Sequence, residues 1–319
     1  VPDEPLTPPS QDRQLAPGLY LVATPIGNLE DVTLRALRVL RSVDRVACED
    51  TRQTAKLLGH FGIRTPTVSY HAHNETSRAS ELIEALKAGA RIAVVSDAGT
   101  PGIADPGAAI AAEAIAAGIP VFPIPGANAA LSALIASGLP ADRFTFHGFL
   151  PSKEGARRST LESLRNEVSK GHGFSRAMES PTAAGFSSWG DEPTHIFYET
   201  PHRILATLAE IVAIFGPTQP IALARELTKL HEEFLRGPAA DVLAALTARP
   251  SIRGEMVLML GPTATNEAPP ATTLAEEVAA LMRNESLPEK EALKRVAKAR
   301  NIGKSEAYRE WQRTQPGKR

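Results

Sequence analysis

The chain of 319 residues contains a single cysteine, Cys48. The scarcity excludes an internal disulfide and any metal centre built from several thiolates. Cys48 stands in the apolar run Arg45-Val46-Ala47-Cys48, a setting that predicts a buried core thiol rather than a nucleophile. Neither sign of charge is in excess, with 35 basic and 36 acidic residues, so any surface that attracts nucleic acid must be local. A run of about 18 apolar residues, the length a membrane helix needs, is also lacking. The richest stretch, Ala108 to Ile124, is broken by Glu113 and by Gly118-Ile119-Pro120. Residues 1–17 hold Pro2, Pro5, Pro8, Pro9 and Pro17 but no apolar signal-peptide core, and are expected to be a disordered lead-in. The cytoplasm is the expected location. Neither G-x-G-x-x-G after the first strand nor G-x-x-x-x-G-K-[ST] occurs, which argues against a dinucleotide dehydrogenase and a P-loop NTPase. The glycine pattern of the commonest methyltransferase fold is missing too. His71 and His73 are accompanied only by Asn74 and Glu75; that spacing matches no standard zinc pattern, and no metal is expected.

What the chain does have is alternation. Short apolar runs at Leu19–Ala23, around Val46, at Thr67–Tyr70, up to Ser96 and at Val121–Ile124 alternate with helical stretches such as Val32–Leu40 and Ala108–Ala117. This predicts a parallel sheet with helices on both faces over residues 18–138. Leu34, Leu37 and Leu40 are expected along the buried face of the first helix. Three of the strands run into glycine- and proline-rich turns: Thr24-Pro25-Ile26-Gly27, the stretch Ser96 to Gly107, and Pro125-Gly126. Turns at one sheet edge would form a single crevice, with backbone N–H groups free for a polar ligand. Asp105-Pro106 reads as a helix N-cap and first helical residue.

After Gly138 the pattern changes. Residues 139–262 open with the aromatic strand Phe144 to Leu150 and a basic helix, Lys153–Asn166, carrying Arg157, Arg158 and Arg165. The later elements predict a second αβ domain with a mixed sheet. Residues 168–193, rich in Gly and Ser, read as a disordered insertion. Residues 263–272 read as a linker, and 273–314 as a small helical module resembling a helix-turn-helix. From Lys290 to Arg319 there are ten basic and three acidic residues, the local positive charge that the whole chain lacks; such a module fits a phosphate backbone.

These motifs together resemble the tetrapyrrole methylase superfamily, and within it the branch that methylates small-subunit ribosomal RNA on a cytidine ribose 2′-oxygen. The matching text is Leu21 to Asp31, Cys48-Glu49-Asp50-Thr51-Arg52, His71 to Glu75, the Ser96 to Gly107 stretch, Pro125-Gly126-Ala127-Asn128, Phe197 to Arg203, Ala224 to Lys229 and Gly254-Glu255. The resemblance implies an S-adenosylmethionine site between two αβ domains, a homodimer, and 16S ribosomal RNA or the small subunit as partner. Thr24, Pro25, Gly27 and Asn28, then Ser96, Asp97, Gly99, Thr100, Ile103, Ala104 and Asp105, then Pro125, Gly126 and Ala127 would hold the cofactor, with Tyr198 closing the site. The alternatives are a small-molecule methylase of the same fold and a non-catalytic RNA-binding assembly factor.

Methyl transfer from a sulfonium to a hydroxyl is an in-line displacement in which positioning can supply about 7 to 11 kcal/mol. A base for the hydroxyl proton would add about a hundredfold or more. Lys229 with Glu199 or Glu226 is the expected catalytic set, because a Lys beside a Glu can accept or orient a proton. Arg203, expected in the first turn of a helix where the dipole disfavours a cation, suits a substrate phosphate or a buried carboxylate. Arg52, His71, Asn74, His202 and Arg225 complete the expected substrate contacts.

Overall fold

The computed structural model describes residues 15–71, 75–170, 192–262, 274–284, 287–299 and 302–314. The chain divides into two compact units, Val1–Ala264 and Thr265–Arg319. Most of the expected lead-in, insertion and linker lies outside the described residues, as do His73 and Asn74. Residues 15–17 belong to the fold instead: Leu15 packs against the first core, and the Tyr20 hydroxyl donates to the Ala16 carbonyl at 2.6 Å.

The first sheet contains β1 (Gly18–Val22), β2 (Arg45–Cys48), β3 (Thr67–Ser69), β4 (Arg91–Val95) and β5 (Val121–Ile124) in the order β3-β2-β4-β1-β5, every pair parallel. Its central strands are apolar without interruption because both faces are covered. Leu19, Ile92 and Val94 pack with Leu82 and Ile110 on one face, while Val22, Ala93 and Val95 pack with Val39, Leu40 and Leu58 on the other. Those partners come from α1 (Leu34–Ser42), α2 (Thr51–His60), α3 (Glu75–Lys87) and α4 (Ala108–Ala116). Cys48 is fully buried. Of the expected apolar face of α1, Leu40 is buried and Leu37 packs against the core, but Leu34 does not belong to it. Thr33 caps the helix by accepting from the Ala36 N–H, so Ala36, Val39 and Leu40 are buried and Leu34 stands 87% exposed.

The second sheet orders β6 (Phe144–Phe149), β7 (Thr194–Glu199), β10 (Met256–Leu260), β8 (Pro220–Arg225) and β9 (Glu233–Pro238) side by side, with β6–β7 parallel and the rest antiparallel. One face buries Phe197, Leu258 and Leu223 beneath α6 (Glu154–Lys170), α7 (Ile204–Phe215) and α8 (Ala239–Thr247). The other packs Ile196, Ala222, Val257 and Met259 against Ala130, Ala133 and Leu134 of α5 (Ala129–Ser137). Thus α5, although it follows β5 of the first sheet in the chain, packs on the second sheet. Residues 168–170 continue α6 and are not part of an irregular insertion. The arginines of α6 do not form a free basic face. Arg157 makes a two-pronged, buried pair with Glu210, Arg158 pairs with Glu162, and Arg165 donates to the Ile214 carbonyl.

The second unit contains α9 (Leu274–Asn284), α10 (Glu289–Ala299) and α11 (Lys304–Thr314) around a core of its own that includes Leu274, Val278, Leu293, Val296 and Trp311.

Candidate active site

The order of the first sheet makes β4, β1 and β5 neighbours, so the three glycine- and proline-rich loops leave from adjacent carboxyl ends, where open αβ sheets gather ligands. Hydrogen bonds tie them together. Thr24 and Gly99 exchange backbone bonds of 2.9 and 3.1 Å, and the Thr24 hydroxyl donates toward the Ser96 carbonyl at 3.3 Å. The Thr100 hydroxyl donates to the Ala127 carbonyl at 3.1 Å, linking the second loop to the third. Close approach explains two of the glycines. A Cβ on Gly126 would stand 2.9 Å from the Ala23 Cβ, and Gly99 has φ +81° with Ile26 beside it. Asp105 does not cap α4. That helix starts at Ala108 with Gly107 as its cap residue and no side-chain cap bond, and Ala104 adopts φ 62°, a left-handed conformation costly for a residue with a Cβ.

The opposite wall comes from the second sheet. Lys229 Nζ donates to Glu226 Oε1 and to Glu255 Oε2, both at 2.9 Å. Burial pulls the Lys229 ammonium down, but the bonds to Glu255 and Glu226 outweigh it and hold the group above its usual range. The Lys229 bond, opposed by burial and joined by the Glu255 N–H, keeps Glu226 below the usual carboxylate range. Two glycines and two residues with positive φ permit this cluster. A Cβ on Gly27 would lie 2.5 Å from Lys229 Cγ, and one on Gly254 would lie 2.3 to 2.5 Å from the Glu226 side chain. Glu226 and Thr228 both have positive φ, 52° and 64°.

Between these walls lies a cavity of about 550 Å³, within the usual range for small-molecule sites. Of the expected cofactor residues, Gly99, Thr100, Ile103, Ala104, Asp105 and Tyr198 line it. Thr24, Ser96, Gly126 and Ala127 are not in that lining but brace it through the contacts above, and Pro25, Gly27 and Pro125 are not in it either. Asn28 caps a 3-10 turn (Leu29–Asp31) by accepting from Glu30, and Asp97 accepts from the Asp50 N–H at 3.1 Å. The Tyr198 phenol is raised by burial, against a backbone hydrogen bond from Ala130.

Lys229, Glu226 and Glu199 all line the cavity, but Glu199 is engaged elsewhere. Its side chain is fully buried, accepting from Arg203 at 2.8 and 3.1 Å, from the Thr207 hydroxyl at 2.9 Å and from the Thr200 N–H at 3.0 Å. Of the two partners expected for Arg203, a substrate phosphate or a buried carboxylate, the structure gives it the buried carboxylate of Glu199. Arg203 precedes α7 in a turn closed by its own N–H on the Thr200 carbonyl, so it is not in a first helical turn at all. Arg225 pairs with Glu233, which also binds Arg249; His202 is exposed, and Arg52 pairs with Asp50 while remaining 88% exposed. Neither these residues nor His71 lines the cavity. Among the described residues no cluster suited to a metal occurs. Sequence reasoning assigned no role to Glu255, although it shares Lys229 with Glu226; the only signal was Gly254-Glu255 opening a strand.

The model of tetrapyrrole (corrin/porphyrin) methylases matches residues 18–243. Similar curated proteins carry the name ribosomal RNA small subunit methyltransferase I. The one from Synechocystis is 42% identical, covering 91% of this chain and 95% of its own, and the one from Halalkalibacterium halodurans is 44% identical, covering 91% and 93%. Among solved structures, a diphthine synthase aligns at TM-score 0.52 and 15% identity over 76% of this chain and 89% of its own, and the methyltransferase CobJ at 0.52 and 18% over 77% and 94%; these likenesses concern the fold. With a match of that extent along the two sheets and such relatives along nearly the whole length, the chain belongs to the tetrapyrrole (corrin/porphyrin) methylase family.

Proposed function

We propose that the protein is an S-adenosylmethionine-dependent methyltransferase of small-subunit ribosomal RNA, acting on a cytidine ribose 2′-hydroxyl. The observation that carries this reading is the cavity itself, walled on one side by three braced loops at parallel strand ends and on the other by Lys229, Glu226 and Glu255. The relatives named for methylation of small-subunit ribosomal RNA support the substrate. The residues fit the cofactor: loop backbone suits its polar atoms, and the unpaired carboxylate of Asp105 suits a cation. When bound, S-adenosylmethionine supplies an activated methyl group on a sulfonium.

The protein's part is positioning and charge. Lys229 is held as an ammonium, so it serves as donor rather than base. Its charge keeps Glu226 ionised as the acceptor of the ribose proton and stabilises the negative charge that develops on the oxygen. Glu255 steadies Lys229 from the other side, and Glu199 fixes the Thr200-Pro201 rim through Arg203. In this reading residues 18–138 and 139–262 are the two halves of the site, while the 273–314 module adds a basic surface for RNA. A cytoplasmic homodimer is part of the same proposal, supported by Leu131 and Ile135, one turn apart on α5 and 46% and 81% exposed.

The test is incubation with methyl-labelled cofactor and small ribosomal subunits or bare rRNA, followed by mapping of the labelled nucleotide. Label on a ribose 2′-oxygen of a cytidine is the expected result. Label on a base refutes the 2′-O assignment, and no binding of S-adenosylmethionine at any concentration refutes the enzyme reading.

A further inference from the structure

Asp105 is a charge without a structural task. The sequence offers it as a helix cap, yet α4 begins two residues beyond Pro106 and takes no cap bond from it. Among the described residues it has neither a hydrogen-bond partner nor an ion-pair partner. The charges nearest to it, Glu49 and Asp97, are both carboxylates. The other charged groups lining the cavity all have ion-pair partners: Glu226 and the largely exposed Glu255 share Lys229, and Glu199 pairs with Arg203. Burial first, then Glu49 and Asp97, push Asp105 up to about 6, the behaviour of a carboxylate that awaits a positive charge. Its immediate surroundings are weakly polar. Tyr198, close enough to feel its charge, packs edge-on against Phe149 at 5.5 Å, and both rings line the cavity.

We propose that the Asp105 carboxylate is the counter-charge of the methylsulfonium, so that the cavity distinguishes the charged methyl donor from its product, S-adenosylhomocysteine, whose sulfur is neutral. The two molecules share the same ammonium, carboxylate, ribose and adenine, so only a group that acts on sulfur can separate them. A sulfonium is a weakly hydrated cation with no N–H or O–H to donate, and it loses little by entering the part of the cavity where aromatic rings stand beside the one carboxylate that has no cationic partner. An ammonium gives up strong hydration and calls for several acceptors, which Asp105 alone does not provide. The device favours turnover: once the methyl group leaves, the attraction that held the donor is gone. It rests on the cavity being the cofactor site.

Isothermal titration of both molecules against the full chain tests it. For the wild type at pH 8 the donor is expected to bind more tightly than the product, and the ratio of the two affinities is expected to fall about tenfold by pH 5, as Asp105 is protonated. Asp105→Asn is expected to weaken the donor about tenfold at pH 8 while changing the product less than about twofold, and Asp105→Glu to restore part of the preference. Equal losses for both molecules would assign Asp105 to a shared part of the ligand and overturn the proposal, as would no loss for either. If the Asn variant fails to fold, the wild-type titration decides alone, since an affinity ratio flat from pH 8 to pH 5 overturns it. Failure of the wild type to bind either molecule would instead sink the cofactor site itself.

Discussion

Lys229 can lie across the first loop only because residue 27 has no side chain. A methyl group there would meet Lys229 Cγ at 2.5 Å and Cε at 3.0 Å, distances at which the lysine must move. Gly27→Ala is therefore expected to displace the ammonium from the Glu226 and Glu255 carboxylates and to lower kcat about tenfold or more. The melting temperature should hardly change, because Gly27 is exposed and the lysine has solvent to swing into; a large drop in melting temperature would mean that the loop itself had broken. Asp105 gives the opposite pairing of effects. Its folded value of about 6 lies above the ordinary aspartate value of 3.8, so between those limits the folded protein holds the proton more tightly than the unfolded chain. Its contribution to stability then falls as pH rises through that window and stays unfavourable above it. Without ligand, Asp105→Asn should melt higher than the wild type at pH 7.5, with the gain vanishing near pH 4, as differential scanning fluorimetry at the two pH values would show.

At the scale of elements, the start of α7 depends on one buried network. Glu199 is fully buried and its partners are Arg203, Thr207 and the Thr200 N–H. Removing the guanidinium leaves a carboxylate in the interior with its counter-charge gone, a change that costs about 3 kcal/mol or more. Arg203→Ala is expected to lose that much in urea unfolding, whereas Arg203→Lys, which keeps the charge but not the fork, should lose less. The same network shows how far the sequence could be read. The strands and helices were legible because their apolar periods are strong and their ends carry Gly, Pro and Asx signals, and the cavity was legible because three such ends share one edge. Cap positions were not. Asp105-Pro106 and Thr200-Pro201 both look like helix starts, yet in each case the chain makes an extra turn first, since a cap bond competes locally with tertiary partners that no short window contains. Leu34 shows a related limit: residues three apart drift round a helix of about 3.6 residues per turn, so Leu40 is buried and Leu37 half-buried while Leu34, two steps away, faces solvent. Glu199 and Arg203 were visible as charged residues near a strand end, but the second carboxylate oxygen of Glu199 is satisfied by Thr207, one turn beyond Arg203, which no charge pattern marks.

For the whole molecule, the apolar exposure of α5 and the basic character of the second unit call for different partners. Leu131 and Ile135 stand exposed on α5, whose buried residues pack on the second sheet, so Ile135→Glu is expected to convert a dimer into a monomer in light scattering, and a wild type that is monomeric at all concentrations would refute the dimer. The second unit has a core of its own, and its α10 places Lys290, Lys294 and Lys298 at intervals of four, all exposed, while Ala292, Leu293, Val296 and Ala297 face inward. That spacing makes a single positive stripe along one side of the helix, in a chain whose total charge is only −1. A phosphate backbone is the partner such a stripe suits, and binding there would release counterions. Replacing the three lysines by glutamate should therefore weaken RNA binding at least about tenfold at physiological salt, and reduce the slope of log affinity against log salt by about 2 to 3. Affinity for S-adenosylmethionine should be untouched, because the cavity is built entirely from residues before 262. An unchanged salt slope would place RNA recognition elsewhere and leave the stripe as a solvated helix face.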